Sequence, residues 1–376
     1  MAAGVAASWL NRKELRYKLR SSLRRVTSLH RLTTCGLPLG GPVVVKLIGS
    51  SHYYNNLVSC GSGWACPVCA AKIRNRRANE ASRAVVSALS QGMSMLFVTR
   101  TIPHTADSKL AVTLRLLGEG RRYVVNQTVV KAARKAAGYV GGISAKELTY
   151  GRQGWHPHNH DFEFYERDIS LEDYATLSRL YYVYLDQFYT ANGFPGLSRE
   201  YGVVVEHVQF GEAVLAKYLT KMQEGSDVRL IAAQELARSD LKRSRSGSLM
   251  PFDIALGFVE TGDMELLDLW REYEANTFGR SVIRLTKGLR ARLLPNEKEQ
   301  SDGELVAQTV HGTEALQLDS RLYRQIVRVP GLEGKVLTAL DTGGFAALVE
   351  LLTVYHLDGV GGYYQIEDTS EQESEG

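Results

Sequence analysis

A short run of alternating histidines constrains the fold of this chain more than any other feature. The alternating positions are occupied by histidine and then phenylalanine: His156, His158, His160, Phe162 and Phe164. Successive side chains of a β-strand point to opposite faces, so these positions share one face at spacings of about 6.5 to 7 Å. The pattern predicts a strand that presents imidazoles and phenyl rings on the same side.

The residues before this strand predict its hairpin partner. Residues 143–150 have strand composition, and residues 151–154 have the glycine-rich composition of a turn. If the hairpin is symmetric about the centre of this turn, Glu147 faces His158. Directly opposed residues of an antiparallel pair lie on the same face with Cβ atoms about 5 Å apart. One carboxylate is therefore expected to converge with the imidazoles of His158 and His160.

A set of one carboxylate and two imidazoles has the chemistry of a divalent metal site. Glu147, His158 and His160 suit Mn²⁺ or Mg²⁺ when substrate oxygens complete the coordination shell. His104, at the exit of a strand over residues 94–104, is a weaker candidate to support a ligand. The alternative is a strand whose histidines are simply buried and hydrogen-bonded.

All four cysteines fall within one window of 35 residues: Cys35, Cys60, Cys66 and Cys69. A chain without an export signal favours thiolate ligation of Zn²⁺ over disulfides, and a Cys-Pro-Val-Cys turn directs backbone amides at the sulfur atoms. Four cysteines match one closed tetrahedral zinc site, with unligated structural cysteines as the alternative. The basic start of the following helix, with Arg74, Arg76 and Arg77, favours contact with DNA.

Charge is distributed unevenly along the 376 residues, although the formal net charge is only +4. The acids among residues 1–80 are Glu14 and Glu80, against thirteen lysines and arginines, whereas residues 336–376 contain no lysine or arginine. A basic front end favours a phosphate backbone as partner, with a solvated helix face as the alternative. The last ten residues are typical of a disordered acidic tail.

The apolar residues argue against a membrane partner and against export. A hydrophobic fraction of 44% is ordinary for a globular chain. No apolar run reaches the length of about 18 residues that a membrane span needs, and Glu350 interrupts the best stretch. The first residues lack the basic and apolar regions of a secretory signal. We therefore expect a cytoplasmic protein.

Tyr218 is the candidate attacking group if the metal holds a phosphodiester. Lys217 and Lys221 flank it, and Lys221 lies about one helical turn away on the same face. Nearby ammonium groups would favour the phenolate of a tyrosine, whose ordinary pKa is about 10, and would neutralise charge on phosphate oxygens. The alternative is a core tyrosine in an apolar helical stripe with Val214 and Met222.

Three segments, in this order, resemble the three motifs of rolling-circle plasmid replication initiators, which belong to the HUH endonuclease superfamily. They are residues 97–104 (FVTRTIPH), 154–160 (GWHPHNH) and 216–221 (AKYLTK). Residues 60–71, 270–273 (WREY) and 287–290 (KGLR) also look like that family. The similarity spans roughly residues 30 to 295.

The resemblance implies a fold and a reaction. It implies an antiparallel sheet flanked by helices, with His158 and His160 as metal ligands on a central strand and Tyr218 as the nucleophile on a nearby helix. The family nicks one strand of single-stranded or hairpin origin DNA, keeps the 5′ phosphate on tyrosine and leaves a 3′ hydroxyl to prime synthesis. A host helicase and polymerase are the implied partners.

Two positions depart from the family pattern. Asn159 stands where the family usually has a bulky apolar residue between the two ligands. Some relatives with one tyrosine carry a glutamate four residues earlier to activate water at termination, and Val214 occupies that position here. Glu212, Glu206 or the second copy of a homodimer would have to serve instead.

These features predict an α+β protein: a central antiparallel sheet flanked by helices, a cysteine-rich zinc-binding N-terminal region and a helical C-terminal region. Residues 1–92 form the basic region with the cysteines, and residues 93–225 form the catalytic domain. Residues 226–300 form a basic linker, including a Ser-rich loop at 238–249, and a DNA-associated extension whose run from Arg284 to Arg292 is strand-like. Residues 301–376 form the C-terminal region.

Three other functions share some of these features. A transposase or relaxase of the HUH superfamily would use the same chemistry. A histidine triad nucleotide hydrolase prefers apolar residues between its histidines, where Pro157 and Asn159 stand here. A non-enzymatic zinc-dependent DNA-binding regulator would explain the cysteines and the basic front end, but would leave Glu147, His158 and His160 without a role.

Overall fold

A computed structural model describes residues 13–208, 248–308 and 311–365. The chain divides into two compact units, of which unit 1 contains residues 1–73, 255–264 and 300–376 and unit 2 contains residues 74–254 and 265–299. Each unit has an antiparallel sheet accompanied by helices. The expected α+β class is confirmed, with two sheets in the described ranges where one was expected.

The described helices are α1 (Lys13–Val26), α2 (His30–Thr33), α3 (Pro67–Ser90), α4 (Leu110–Asn126), α5 (Thr128–Ala136), α6 (Leu171–Ala191), α7 (Pro251–Thr261), α8 (Met264–Thr277), α9 (Leu289–Leu293), α10 (Asp302–Ala307), α11 (Ser320–Arg328) and α12 (Leu332–Val354). The described strands are β1 (Val43–Ile48), β2 (Ser51–Asn55), β3 (Ser94–Thr101), β4 (Tyr139–Gly151), β5 (Gly154–Tyr165), β6 (Val203–Val208), β7 (Ile283–Leu285), β8 (Thr313–Leu318) and β9 (Tyr363–Gln365).

Unit 2 contains a five-stranded antiparallel sheet with the histidine strand in its centre. The strand order is β6-β3-β5-β4-β7. Leu96 and Val98, two residues apart on β3, are fully buried in one core with Leu116 of α4 and Leu177 of α6. Alternation along a strand places such residues on one face, so α4 and α6 cover the face of the sheet opposite to the histidines.

The register of the β4–β5 hairpin is the one that the sequence predicts. Gly151 pairs with Gly154, and Glu147 pairs with His158. Gly154 has φ +77°, and a Cβ atom there would lie 3.2 Å from the carbonyl oxygen of Ala106. Glycine is the residue that adopts this conformation without steric cost. The turn therefore fixes which residues face each other farther along the two strands.

Unit 1 joins the two ends of the chain in a second sheet with the order β2-β1-β8-β9. Its core contains Val43 and Val45 of β1 together with Leu316 of β8 and Leu337 of α12. The C-terminal region is helical as expected in α10, α11 and α12. The expectation missed β8 and β9, because β8 pairs with β1, which is distant in the sequence, and β9 pairs with β8.

Helix α12 is long and apolar enough to cross a membrane by length and composition, contrary to the sequence-based expectation. Leu340, Leu348 and other leucines of this helix lie in the core of unit 1. Glu333, in its first turn, is fully buried and accepts a hydrogen bond from Arg20 of α1. A core helix meets the same test of length and composition, and Glu333 is buried with a charged partner, as buried carboxylates usually are.

The basic run from Arg284 to Arg292 is only partly a strand. Strand β7 ends at Leu285, and Gly288, with φ +86°, precedes the short helix α9. The prediction was therefore wrong for Arg290 and Arg292, because a left-handed glycine ends the extended backbone between them and Arg284. Most of the Ser-rich loop at 238–249 and the acidic tail lie outside the described residues. The division into four consecutive regions stays a prediction.

Candidate functional site

The three histidines of β5 follow one another along one face of the sheet. The ring centroids of His156 and His158 are 4.3 Å apart, and those of His158 and His160 are 5.7 Å apart. The adjacent strand adds Thr99, which pairs with His160, and Thr101, which pairs with His158. The strand and the shared face are as the alternation predicted.

Glu147 of β4 and His160 of β5 form the closest pair of candidate ligands. Glu147 Oε2 lies 3.0 Å from His160 Nε2, and each residue has less than a tenth of its surface exposed. The other ring nitrogen, Nδ1, lies 3.0 Å from Thr99 Oγ1. Phe97 stacks on the imidazole of His160 at 5.5 Å with an interplanar angle of 6°. Thr99 and Phe97 therefore fix the orientation of this ring.

The donor atoms of this pair suit a cation. When Nδ1–H donates to the Thr99 hydroxyl oxygen, Nε2 presents a lone pair towards a carboxylate oxygen, and a cation between the two acceptors satisfies both. Metal-binding histidines commonly have their second nitrogen held in this way. Two imidazoles that bind one ion at about 2.1 Å place their ring centroids about 5 to 6 Å apart, and His158 lies at such a distance from His160.

The three predicted ligands do not form a closed cage. Among the described residues, the four cysteines form a group whose donor atoms all lie within 4.8 Å of one another. The donor atoms of Glu147, His158 and His160 are not all this close together. At the hairpin, Glu147 and His160 are in direct contact, whereas His158 is half-buried. An open site of this kind leaves coordination positions for a substrate. The assignment of the three residues as ligands stays a prediction.

His104 and His156 form a second imidazole pair beside the candidate ligands. His156 Nδ1 lies 3.1 Å from His104 Nε2, and their ring centroids are 4.5 Å apart. Burial, and then the neighbouring His104, lower the pKa of His156 to about 4. His156 is therefore neutral at pH 7 and adds no positive charge next to His158. His104 contacts His156, which is not one of the predicted ligands, and its role in supporting a ligand stays a prediction.

A network of buried charges occupies the opposite face of β3 and β5. Arg100 is 1% exposed and donates hydrogen bonds to Asp161 and to Glu163, which is 3.1 Å away. Arg121 of α4 donates to Asp161 Oδ1 at 3.0 Å, and Arg134 of α5 donates to Glu163. Burial acts to raise the pKa of Asp161, but Arg121 and Arg100 lower it to about 2.

This network was not predicted from the sequence, although the strand itself contains both acids. Asp161 and Glu163 alternate with Phe162 and Phe164, a pattern that normally indicates one solvated face of a strand. Here both faces are buried, and Glu163 also accepts hydrogen bonds from two tyrosine hydroxyl groups. The alternating acids hold the strand against the helices while its other face presents the histidines.

The four cysteines converge on one point in unit 1. The Sγ atom of Cys35 lies 3.7 Å from that of Cys66 and 3.6 Å from that of Cys69, and Cys60 Sγ lies 3.6 Å from Cys69 Sγ. All four residues are buried. The backbone N–H of Cys69 points at Cys66 Sγ from 3.5 Å, as the Cys-Pro-Val-Cys turn predicts.

The cysteine cluster fits a tetrahedral metal ion. Four sulfur atoms at about 2.3 Å from one zinc ion are about 3.8 Å from each other, which is close to the observed separations. Hydrogen bonds from the neighbouring thiols Cys60, Cys66 and Cys69 hold the pKa of Cys35 well below its usual value. The sequence-based prediction of one four-cysteine cluster is thus confirmed. The identity of the ion stays a prediction.

The candidate nucleophile and its neighbours lie outside the described residues. This applies to Tyr218, Lys217, Lys221 and Glu212, all within residues 209–247. The other termination candidate, Glu206, is an exposed residue of β6 that pairs with Phe97. Residues paired across a sheet share a face, so Glu206 is on the same face as the histidines.

Comparison with known proteins adds two relatives. The chain is 30% identical over 314 residues to Protein rep of Streptomyces lividans, and the match covers 68% of each chain. It is 32% identical over 148 residues to the neomycin resistance protein of Streptomyces cyanogenus, which is 33% of this chain and about a third of that protein. No family model and no solved structure matches the chain. The match to Protein rep extends over two thirds of both chains, and this chain therefore belongs to the family of plasmid replication (Rep) proteins.

Proposed function

We propose that this protein starts plasmid replication as a metal-dependent endonuclease with an HUH-like fold that nicks one DNA strand at the origin. The observation that carries the proposal is the hairpin register, which sets Glu147 opposite His158 and brings Glu147 Oε2 to 3.0 Å from His160 Nε2. Membership of the Rep family supports the same reaction. A carboxylate in contact with an imidazole on one face of a sheet is a suitable ligand set for a divalent ion that also binds a phosphate.

Glu147, His158 and His160 would hold Mn²⁺ or Mg²⁺. When bound, such an ion polarises the phosphorus centre and stabilises the charge that develops on the phosphate oxygens. The role of Thr99 is to keep the imidazole of His160 in one tautomer through its contact with Nδ1. The role of Phe97 is to hold the ring plane by stacking.

Tyr218 would be the nucleophile. Its phenolic oxygen forms a bond to phosphorus while the bond from phosphorus to the 3′ oxygen of the preceding nucleotide breaks. The phenolic proton leaves to solvent, the departing oxygen takes up a proton, and the products are a 5′-phosphotyrosyl protein and a free 3′ hydroxyl. Lys217 and Lys221 would stabilise the phenolate and the phosphate charge. Glu212 or Glu206 would activate water at termination, unless the second copy of a homodimer provides the acceptor.

The cysteine cluster would bind one Zn²⁺ ion with a structural role. Cys35, Cys60, Cys66 and Cys69 provide four buried sulfur atoms at tetrahedral separations. A closed site with four thiolates stabilises a fold and leaves no position for a substrate. The proposal implies a cytoplasmic protein whose partners are single-stranded or hairpin origin DNA, a host helicase and a polymerase.

The proposal is tested by covalent capture of DNA. The full chain is incubated with single-stranded origin DNA and Mn²⁺ or Mg²⁺, and the products are separated on a denaturing gel. We expect a protein–DNA adduct that is lost with EDTA and with Tyr218→Phe. Tyr174→Phe is the matched control, since it removes a hydroxyl group that bonds to the backbone of β6 on the helical side of the sheet. An adduct of full intensity in Tyr218→Phe would contradict the assignment.

The cysteine cluster also favours a second candidate function, a zinc-dependent DNA-binding regulator without enzymatic activity. Such a protein would bind origin DNA, lose binding on removal of zinc and form no adduct with any metal. A transposase or relaxase would form the same adduct as a replication initiator. Extension of the free 3′ hydroxyl by a polymerase on a plasmid template distinguishes a replication initiator from a transposase or a relaxase.

A further inference from the structure

A basic pocket opens on the face of the unit 2 sheet that is opposite to the histidines. It has a volume of about 360 Å³. Among the described residues, its lining includes six cationic side chains and no aspartate or glutamate: Arg115, Arg121, Arg122, Lys146, Arg280 and Arg284. The cations come from α4, β4, β7 and the loop before β7, so several elements converge on one basic site.

Neighbouring acids neutralise only part of this charge. Arg115 is paired with Glu119 at 2.8 Å, and Arg121 is paired with Asp161 at 3.0 Å. Arg122 and Arg284 are exposed. A concave surface with one sign of charge attracts an anion.

Asn159 provides an independent sign of a ligand. It lines the pocket, is 1% exposed and has a side-chain Oδ1 atom that is buried without a hydrogen-bond partner among the described residues. Burying a polar atom without a partner is unfavourable. A ligand that brings a hydrogen-bond donor together with its negative charge would satisfy both Asn159 and the arginines.

The pocket has room for such a ligand next to α4. An added Cβ at Gly118, which lines the pocket, would have no atom within 4 Å. The volume lies in the range of about 300 to 1,000 Å³ that is usual for small-ligand sites. A nucleotide combines two suitable groups. Its phosphate is an anion that arginine and lysine bind, and its sugar or base edge has donors that can hydrogen-bond to the asparagine oxygen.

We propose that this pocket binds one phosphate group of a nucleic acid strand together with the adjoining sugar or base edge. The site is a second DNA contact on the helical face of the sheet, separate from Glu147 and His160 on the histidine face. It goes beyond the proposed nicking reaction and requires neither the metal nor Tyr218. It would hold a neighbouring part of the DNA while the scissile phosphate lies on the other face.

The first test removes two of the cations. The Tyr218→Phe protein in EDTA, which allows no chemistry, is titrated into a fluorescent single-stranded oligonucleotide, and Kd is measured by anisotropy at several salt concentrations. We expect the double variant Lys146→Ala/Arg284→Ala to bind about tenfold more weakly and the slope of log K against log salt to fall by about 0.7, the value for one phosphate on a single strand. Arg179→Ala, an exposed arginine of α6 outside the pocket, is the control.

The second test fills the pocket without removing any native side chain. Gly118→Glu and Gly118→Gln introduce side chains of similar size that differ in charge. We expect the glutamate to weaken oligonucleotide binding several-fold more than the glutamine, with equal melting temperatures for both variants. The proposal would be overturned if the two Gly118 variants bound the oligonucleotide with equal Kd. It would also be overturned if Lys146→Ala/Arg284→Ala and Arg179→Ala had the same Kd.

The last arm separates a strand from a free nucleotide. Inorganic phosphate and dAMP are added as competitors of the oligonucleotide and titrated by calorimetry. We expect dAMP to bind with lower affinity than the oligonucleotide and to displace it only at millimolar concentration. This displacement should be lost in the double variant Lys146→Ala/Arg284→Ala. Tight dAMP binding at the pocket with unchanged oligonucleotide affinity in the variants would refute a strand contact. Failure of the adduct assay alone would leave these readouts unaffected, because they use the Tyr218→Phe protein.

Discussion

Replacement of Asp161 by asparagine tests whether the buried charge network stabilises the sheet that carries the histidines. Asp161 is fully buried and is bonded to Arg100 and Arg121. Asparagine keeps the size and shape of the side chain but removes its charge. Within the described part of the chain, Arg100 then retains one charged partner, Glu163, at 3.1 Å. The three arginines and two acids of the network change from a net charge of +1 to +2.

The loss of unfolding free energy caused by Asp161→Asn can be calculated in two ways. A fall in the pKa of Asp161 from 3.8 to about 2 corresponds to about 2 kcal/mol of stabilisation by its ionised form. Removing one partner of a buried ion pair typically costs about 3 to 5 kcal/mol. We therefore expect Asp161→Asn to lower the free energy of unfolding by about 2 to 4 kcal/mol at pH 7.

Urea unfolding of the full chain, monitored by circular dichroism, measures this loss. Asp168→Asn is the control, because Asp168 is an exposed carboxylate close to the same strand and should change stability by less than about 0.5 kcal/mol. Because the pKa of Asp161 is lower in the folded state, its stabilisation is present above about pH 4 and is lost as the pH falls towards 2. The wild type and Asp161→Asn should thus converge at low pH. A loss no larger than that of the control at pH 7 would refute the account.

Two further predictions concern the other sites. Thr99→Val should lower Mn²⁺ affinity about 10- to 100-fold in calorimetry, because it removes the group that orients His160; unchanged affinity would exclude that role. Metal analysis should find about one zinc per chain, lost on Cys66→Ser with Cys69→Ser; retained zinc would argue against the cluster as its site.

The local features of the candidate site could be predicted because they depend on short-range rules. A period of two fixed the face of the histidines, and a glycine-bounded turn fixed the register that pairs Glu147 with His158. The Cys-Pro-Val-Cys turn likewise placed a backbone amide at Cys66 Sγ. These features need only the geometry of a strand, a hairpin and a helix start.

The features that were missed depend on contacts between distant parts of the sequence. Strand β8 pairs with β1 across some 270 residues, and no local period indicates such a partner. The acids Asp161 and Glu163 look solvated in the sequence, since their arginine partners lie on other elements. The basic pocket was missed for the same reason, because Lys146 and Arg284 approach only through the pairing of β4 with β7.

The identity of the residue that becomes linked to DNA tests the central claim most directly. The adduct formed with single-stranded origin DNA and Mn²⁺ would be digested with protease and nuclease, and the modified peptide would be sequenced by mass spectrometry. We predict a nucleotide on Tyr218, and no adduct in Glu147→Ala or His160→Ala protein that still unfolds cooperatively. A nucleotide on another residue, or full adduct formation without Glu147 and His160, would contradict the account.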